Sequence, residues 1–167
     1  MKKKEYSTLV DKHDNIIGKE TREEVRKKNL LHRGAAIIVL NSKKEILIHK
    51  RPKNKDIYPN CIAFFFGGGQ IYGETYEQTA RRELEEEAGL KDVELEFQLY
   101  ELFETDKDKC FVKLYSCVSD GPFKFDGNEI EEPRFVSLEK LKEVMKKEKF
   151  AEDDVFLFKK YLEKTSS

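Results

Sequence analysis

Residues 68–90 read GGQIYGETYEQTARRELEEEAGL, and this stretch contains the best-marked helix of the chain. Thr75 is a suitable N-cap, Gln78 occupies the capping-box position, and Gly89 stands where a glycine commonly ends a helix. The stretch therefore predicts a helix from about Thr75 to Ala88.

Three glutamates lie near the end of this predicted helix. At about 100° per residue, Glu83 and Glu87 are roughly 40° apart and Glu86 is about 60° from Glu83. Glu83 and Glu87 also share the apolar stripe of Ala80 and Leu84, which an amphipathic helix normally buries. Buried carboxylates resist ionisation unless a cation compensates them or their pKa values rise. The pattern favours a bound cation, although a run of glutamates is more often an ordinary solvated helix.

The ligand type indicates which cation would bind there. Oxygen ligands without nearby histidine or cysteine fit Mg²⁺ or Mn²⁺. Mg²⁺ typically takes few protein carboxylates and shares its remaining positions with water and phosphates. The acidic helix therefore points to a phosphorylated substrate.

The composition is typical of a folded protein with one domain. The chain has 167 residues, of which 39% are charged and 38% hydrophobic, with twelve Phe and seven Tyr. It contains no apolar run of about 18 residues, as a membrane helix needs, and its start lacks the apolar core of a signal peptide. Cys61, Cys110 and Cys117 lack CxxC spacing and are interpreted as reduced thiols. We expect a cytoplasmic protein that does not enter a membrane.

Charge is distributed unevenly along the chain. Residues 1–60 contain 16 Lys and Arg against 8 Asp and Glu, a net charge of +8. The remaining residues contain 32 − 16 = 16 basic and 33 − 8 = 25 acidic side chains, a net charge of −9. The basic part could face an anionic ligand, although dispersed charges more often simply solvate a surface.

The rest of the chain predicts alternating strands and helices around one sheet. A hairpin is expected from residues 7–10 and 15–18, followed by a short helix that Thr21 caps. Further strands are expected at residues 35–40, 45–49, 62–66, 93–104, 110–118 and 132–137, and further helices at 137–148 and 153–164. Gly67, Gly68 and Gly69 suit a loop that passes close to metal and phosphate.

The stretch from Gly68 onward resembles the Nudix box at every specified position. It has a glycine, five residues, Glu74, seven residues, and then the run RELEEEAGL that begins at Arg82. The resemblance implies the Nudix fold, an α+β architecture in which an α/β/α sandwich surrounds a mixed β-sheet. We expect a single domain, with an N-terminal hairpin and helix extension (residues 1–33) packed on the Nudix domain (residues 34–167, box 68–90).

The resemblance also implies the roles of individual residues. Glu83, Glu86 and Glu87 would bind the metal, and the carbonyl of Gly67 could add a ligand. Glu74 and Arg82 would support them, since a guanidinium can fix neighbouring carboxylates through charge-assisted hydrogen bonds.

Residues 8–140 look like the isomerase-like branch of this superfamily. Isopentenyl-diphosphate isomerases need a cysteine just before the box glycine and a histidine just after it, and here those positions are Gly67 and Gly69. His32 matches an isomerase metal position but is interpreted as a buried or capping residue. Cys61 lies too far before Gly67 to replace the missing cysteine. Isomerase chemistry is therefore the least favoured reading.

The expected reaction is hydrolysis of a phosphoanhydride bond in a nucleoside diphosphate linked to another moiety, by a metal-activated water. The general base would be a box glutamate or a carboxylate from the later loop NEIEEP (residues 128–133), where Glu132 matches a recurrent family position. Arg51, Lys53 and Lys55 would grip phosphates, or else are solvated loop charges. A base-stacking platform could come from a set of aromatic residues that are mostly expected in the core: Tyr58, Phe64, Phe65, Phe66 and Tyr72.

Other functions and assemblies stay open. The chain could be a nucleotide-binding module that has lost its chemistry, although intact acidic residues argue against this. Work on nucleic acid is less favoured because the sequence lacks a basic and aromatic array. The sequence is compatible with a homodimer.

Overall fold

The computed structural model describes residues 4–166 of the chain. Within that range it contains nine strands and four helices. The elements are, in chain order, β1 (Tyr6–Val10), β2 (Ile16–Thr21), α1 (Arg22–Lys28), β3 (His32–Leu40), β4 (Ile46–Lys50), β5 (Ile62–Ala63), β6 (Phe66–Gly69), α2 (Tyr76–Ala88), β7 (Glu96–Glu104), β8 (Lys109–Val118), β9 (Glu131–Val136), α3 (Leu138–Lys147) and α4 (Glu152–Thr165).

The strands form one mixed sheet with β3 near its centre. β3 pairs in parallel with β8 along its whole length and antiparallel with β1, β4 and β6. β7 pairs with β8, β9 and β5 pair with β4, and β2 pairs with β1, all antiparallel. β3 and β4 pair only at Leu40 and Ile46 and then diverge. Beyond that point β6 pairs with β3 and β5 pairs with β4.

Helices cover both faces of the sheet. Ile37 and Val39 of β3 pack with Leu84 of α2 in one core. Ile38, one residue along, packs with Phe158 of α4 and with α3 in the other core. Since alternate residues of a strand face opposite sides, the apolar run in β3 serves both layers. The expected single-domain α+β fold, with helices on both faces of a mixed sheet, is confirmed.

α2 begins and ends where the sequence predicts. The Thr75 hydroxyl accepts the Gln78 amide at 3.1 Å, and the Gln78 side chain accepts the Thr75 amide at 2.9 Å. Gly89 has φ of 69°, and its amide donates to the carbonyl of Glu85. A Cβ at Gly89 would lie 2.7 Å from the Lys124 Cβ, so glycine is required there by both conformation and space.

The predicted strand at residues 62–66 is wrong in its extent. It divides into β5 and β6, and the amides of Phe64 and Phe65 donate instead to Oδ2 of Asp154, at 2.7 and 3.2 Å. An unbroken apolar run gives no sign of such a division, because the acceptor comes from α4.

The prediction of a glycine loop at residues 67–69 is also wrong. All three residues belong to β6 and pair with β3. Gly67 has φ of 143°, and a Cβ there would lie 2.1 Å from the Ala35 carbonyl oxygen. A Cβ at Gly68 would lie 2.6 Å from Oε1 of Glu83. Gly67 and Gly68 therefore allow β3 and α2 to approach β6 closely.

The N-terminal hairpin continues the sheet through the pair of Leu9 and His32. The Thr21 hydroxyl accepts the Glu24 amide at 3.3 Å, so Thr21 caps α1 as predicted. Arg33 Nε donates to Asp14 at 2.7 Å and ties β3 to the hairpin turn. The division into residues 1–33 and 34–167 stays a prediction. No helix in residues 4–166 is long and apolar enough to cross a membrane.

Candidate active site

Arg82 organises the acidic side chains of α2. Its Nε and Nη2 atoms donate to the two oxygens of Glu74, at 2.6 and 3.1 Å. Its Nη1 atom donates to Glu83 Oε1 at 3.0 Å and to Glu86 Oε2 at 3.3 Å. One guanidinium therefore positions three carboxylates, and its bidentate bond with Glu74 fixes its own orientation.

Glu74 is held from a second side. Its Oε2 atom accepts the hydroxyl of Thr79 at 2.7 Å and the amide of Ile71 at 3.2 Å. Burial raises the pKa of Glu74, but the hydrogen bonds from Arg82 and Thr79 outweigh this effect and place its pKa below the ordinary value. Glu74 is therefore an ionised anchor for Arg82.

Glu87 reaches the neighbouring strand. Its Oε1 atom accepts the amide of Gly67 at 2.7 Å, which joins the end of α2 to β6. Burial, and then the charge of Glu83, raise the pKa of Glu87 well above its usual range. Burial also raises the pKa of Glu83, against the opposing charge of Arg82. Both carboxyls therefore resist ionisation because they are buried, and Glu87 does so also because Glu83 is close to it.

This donor set fits a divalent cation by its chemistry. Among residues 4–166, no three His, Cys, Asp or Glu side chains are gathered closely enough to hold a metal as they stand. A cation would nevertheless offset the cost of ionising Glu83 and Glu87, and the available donors are oxygens. Glu86 has a side chain 58% exposed, so it adds a carboxylate at the open side of this donor set while Arg82 holds it.

A cavity of about 320 Å³ opens in front of these acids. Glu83, Glu86, Glu87 and Arg82 line it, together with the three glycines of β6. The cavity extends to α1, to the loop after β4 and to the first turn of α4. Its size suits a ligand of nucleotide class.

The three basic residues of the loop after β4 differ in whether they line the cavity. Arg51 and Lys55 line the cavity, whereas Lys53 is exposed and lies outside it. The Arg51 guanidinium donates to the carbonyls of Ile57 and Tyr58, at 3.0 and 3.2 Å, and so closes its own loop. Lys55 is therefore the better placed of the three to meet a phosphate.

Acidic residues before and at the start of β9 also differ in their position relative to the cavity. Glu132 is exposed, has φ of 48° and is not part of the cavity wall. Asp126 and Glu129 line the cavity instead, and Glu129 is ion-paired with Lys55. Glu129 belongs to the loop NEIEEP that the sequence offered as a source of the general base, but Glu132 was the residue singled out there, and Asp126 was not predicted. Spacing alone gives no signal for the choice, because a turn decides which acids face inward.

The aromatic candidates and His32 are mostly buried. Phe64, Phe65 and Phe66 are core residues, whereas Tyr72 is 47% exposed. His32 is buried, with Nδ1 lying 2.9 Å from the Leu30 carbonyl oxygen, as expected for a structural histidine. Cys61 is a buried residue beside β5, which agrees with its predicted core role.

Comparison with known proteins agrees with this geometry. The family model of the NUDIX domain matches residues 30–158 of the chain. The chain belongs to the Nudix family. An uncharacterised Nudix hydrolase of Yersinia pestis is 35% identical over 128 residues, which cover 77% of this chain and 70% of that protein. Another, from Pseudomonas aeruginosa, is 32% identical over 159 residues, covering 95% and 94% of the two chains.

Solved structures show the same fold. The crystal structure of DR0079 from Deinococcus radiodurans has a TM-score of 0.79 at 24% identity and covers 93% of this Nudix chain and 98% of its own. The NUDIX domain of Shewanella oneidensis NrtR, complexed with ADP ribose, has a TM-score of 0.60 at 15% identity, with 84% and 96% covered. The family relationship identifies the chain as a Nudix hydrolase, and hydrolysis of a pyrophosphate bond is the general reaction of that family. The isomerase-like branch stays a prediction.

Proposed function

We propose that this Nudix hydrolase uses Mg²⁺ or Mn²⁺ to cleave a phosphoanhydride bond in a nucleoside diphosphate linked to another moiety. The observation that carries the proposal is the group of carboxylates on α2 that Arg82 positions beside the glycine strand. Glu83, Glu86 and Glu87 would hold the ion, with the Gly67 carbonyl as an additional ligand.

The protein groups have separate tasks in this reaction. The bound ion would neutralise phosphate oxygens and lower the pKa of a water molecule. Arg82 fixes Glu83 and Glu86 by hydrogen bonds at 3.0 and 3.3 Å, so that these side chains lose little freedom on binding. Lys55 lies on the cavity wall, where an ammonium can meet a phosphate oxygen.

The general base must lie within reach of the attacking water. Glu129 lines the cavity that the box acids also line, whereas Glu132 does not. We therefore assign the base to Glu129 or to one of the box glutamates. Glu132 is the weaker candidate, because only its position in the sequence supports it.

The substrate is a small nucleotide, and the reaction belongs in a reducing compartment. Cys61, Cys110 and Cys117 are free and buried thiols, which suits the cytoplasm. The complex of the Shewanella domain with ADP ribose makes that compound a sensible probe, although the likeness to that domain concerns the fold.

The test compares Glu87→Gln with Glu85→Gln on a panel of nucleoside triphosphates, dinucleotides, nucleotide sugars and coenzyme A in Mg²⁺. Glu85 lies on the same helix but is exposed and paired with Lys91, so it is a matched control. We expect Glu87→Gln to lower kcat by about two to three orders of magnitude and Glu85→Gln to leave it within about twofold. Mass analysis of the products locates the broken bond.

Two results would overturn the proposal. Equal loss in the two variants would mean that Glu87 has no special part in turnover. Nucleotide binding without cleavage by the wild-type protein would favour the non-catalytic binding module.

A further inference from the structure

An ion pair between Lys55 and Glu129 joins two loops on the wall of the cavity. The Lys55 ammonium donates to Oε2 of Glu129, although the two residues lie 74 positions apart in the sequence. Both side chains line the cavity, where that of Lys55 is 16% exposed and that of Glu129 is 39% exposed. Within residues 4–166, neither side chain has a second hydrogen-bond or ion-pair partner. Each charge therefore depends on the other for compensation.

The two loops are held by contacts that do not involve this pair. The Arg51 guanidinium closes the loop that carries Lys55, through the two carbonyls described above. The Asp126 amide donates to the Glu87 carbonyl at 3.0 Å, and the Glu129 amide donates to the Asp126 carbonyl at 3.0 Å. The two side chains can therefore change partners while the backbone around them stays in place.

The pair lies within electrostatic reach of the box carboxyls. Burial and the charge of Glu83 are the main causes that raise the pKa of Glu87. The charge of Glu129 raises that pKa further, whereas the charge of Lys55 lowers it. A diphosphate bound to a cation on the box acids would therefore bring its negative charge close to Lys55.

A diphosphate and Glu129 would compete for the same ammonium group. A lysine ammonium is a compact charge on a flexible stem, so it can exchange one oxygen partner for another. A partly exposed ion pair contributes little to stability, because water screens it. A diphosphate carries more charge than one carboxylate and attracts the ammonium more strongly. While Lys55 donates to Oε2 of Glu129, that oxygen is not available to accept a proton from water.

We propose that the ion pair of Lys55 and Glu129 is a latch that the substrate opens. The diphosphate takes the Lys55 ammonium, and the released Glu129 carboxylate becomes the general base. Glu129 accepts one proton of the attacking water, the water oxygen bonds to phosphorus, and the bridging P–O bond breaks so that its electron pair leaves with the departing phosphate. This inference rests on the proposed function and selects Glu129 from the candidate bases named there.

A double-mutant cycle distinguishes an exchange of partners from simple repulsion between Glu129 and an anion. The probe is methylenediphosphonate, an inorganic diphosphate whose bridging carbon blocks hydrolysis. Dissociation constants are measured calorimetrically in Mg²⁺ for the wild type, Lys55→Met, Glu129→Gln and the double variant. The same cycle at Lys91 and Glu85 is the matched control, because that ion pair has an N–O distance of 3.1 Å, is exposed and lies outside the cavity.

The two single variants should change probe binding in opposite directions. We expect Lys55→Met to weaken binding about tenfold, and Glu129→Gln to tighten it about fivefold because no carboxylate then competes for Lys55. In a protein that already carries Lys55→Met, Glu129→Gln should change binding by less than about twofold. The control cycle should stay within about twofold throughout.

Turnover tests the role of Glu129 as the base. On a substrate that the wild type cleaves, Glu129→Gln should lower kcat about 100-fold while KM also falls. Glu129→Asp keeps a carboxylate and should lose less of kcat. A residue that only supported the fold would not lower KM and kcat together, and melting temperatures of the variants identify any loss of folding.

Several results would overturn the inference. Equal tightening by Glu129→Gln with and without Lys55 would mean that Glu129 merely repels the anion. Weaker binding by Glu129→Gln, or a wild type that does not bind the probe, would refute the latch, and an unchanged kcat in Glu129→Gln would refute the base. The expected binding cycle in a protein that cleaves none of the nucleotide panel would uphold the exchange of partners and refute the proposed hydrolysis.

Discussion

Two helices bring acidic side chains to the same cavity, and the partners of those acids differ. On α2, Glu83 accepts a hydrogen bond from Arg82, a side chain that itself faces the cavity. On α4, a single oxygen of Asp154 accepts the two backbone amides of Phe64 and Phe65. Glu83 is therefore held by another side chain, whereas Asp154 replaces the strand pairing lost between β5 and β6.

This comparison shows that burial alone does not identify a catalytic acid. Burial raises the pKa of Glu87 and that of Asp154 well above their usual ranges. What distinguishes them is how far the backbone uses their hydrogen-bonding capacity. Asp154 accepts two amides of the backbone between β5 and β6, whereas Glu87 accepts one, from Gly67, and Glu83 accepts a hydrogen bond from the side chain of Arg82. We therefore assign Asp154 to stability and the acids of α2 to the reaction.

Replacement of Asp154 by alanine should give the largest effect on stability. It would leave the amides of Phe64 and Phe65 without an acceptor, at about 1–3 kcal/mol each, so we expect the free energy of unfolding to fall by roughly 2–5 kcal/mol. Asp154→Asn keeps an acceptor oxygen and should cost about 1 kcal/mol or less. Urea denaturation followed by circular dichroism measures both. Equal losses in the two variants would refute the role of the acceptor.

Arg82→Lys tests the other side of the comparison. Lysine has a single ammonium and cannot hold Glu74 bidentately while also reaching Glu83. We expect kcat/KM to fall about 10- to 100-fold, with the free energy of unfolding changed by less than about 1 kcal/mol. Arg81→Lys is the control, because Arg81 is exposed and bonds to Glu77 on the outer face of α2. A large loss of stability with normal turnover would reverse our assignment.

The sequence predicted the local features of the site well. The span of α2 follows from its caps at Thr75 and Gly89, and the acids it carries follow from helical spacing. The bond between Arg82 and Glu74 agrees with the supporting roles that the box assigned to them. These features involve residues within about two helical turns of one another, where spacing determines contact.

The features that the sequence did not predict depend on distant partners. The division of the strand at residues 64 and 65 requires Asp154, some 90 residues later. The ion pair of Lys55 with Glu129 joins two loops that lie 74 residues apart in the sequence. The choice of Glu129 over Glu132 as a cavity residue depends on the turn before β9. No periodicity in the sequence records these three contacts.

Replacement of Asp153, next to Asp154, should have the smallest effect on the free energy of unfolding. The direction in which that effect changes with pH is nevertheless well defined. Burial, and then the charge of Asp108, raise its pKa from the ordinary 3.8 to about 6, against the opposing charge of Arg51. An acid with a raised pKa contributes its full stability below pH 3.8 and loses it as the pH rises through about 6. The wild type should therefore lose stability across that window for this reason, and Asp153→Asn should not.

We expect Asp153→Asn to match the wild type near pH 4 and to exceed it by about 1 kcal/mol at pH 7.5, a figure reduced for the partial exposure of the side chain. Asp92→Asn, at an exposed position with φ of 55° that asparagine tolerates, is the control for the loss of one carboxyl group. Urea denaturation at the two pH values measures both. If the advantage of Asp153→Asn failed to grow with pH, Asp153 would be adequately compensated by Arg51, and α4 would resemble α2 in holding its acids through an arginine.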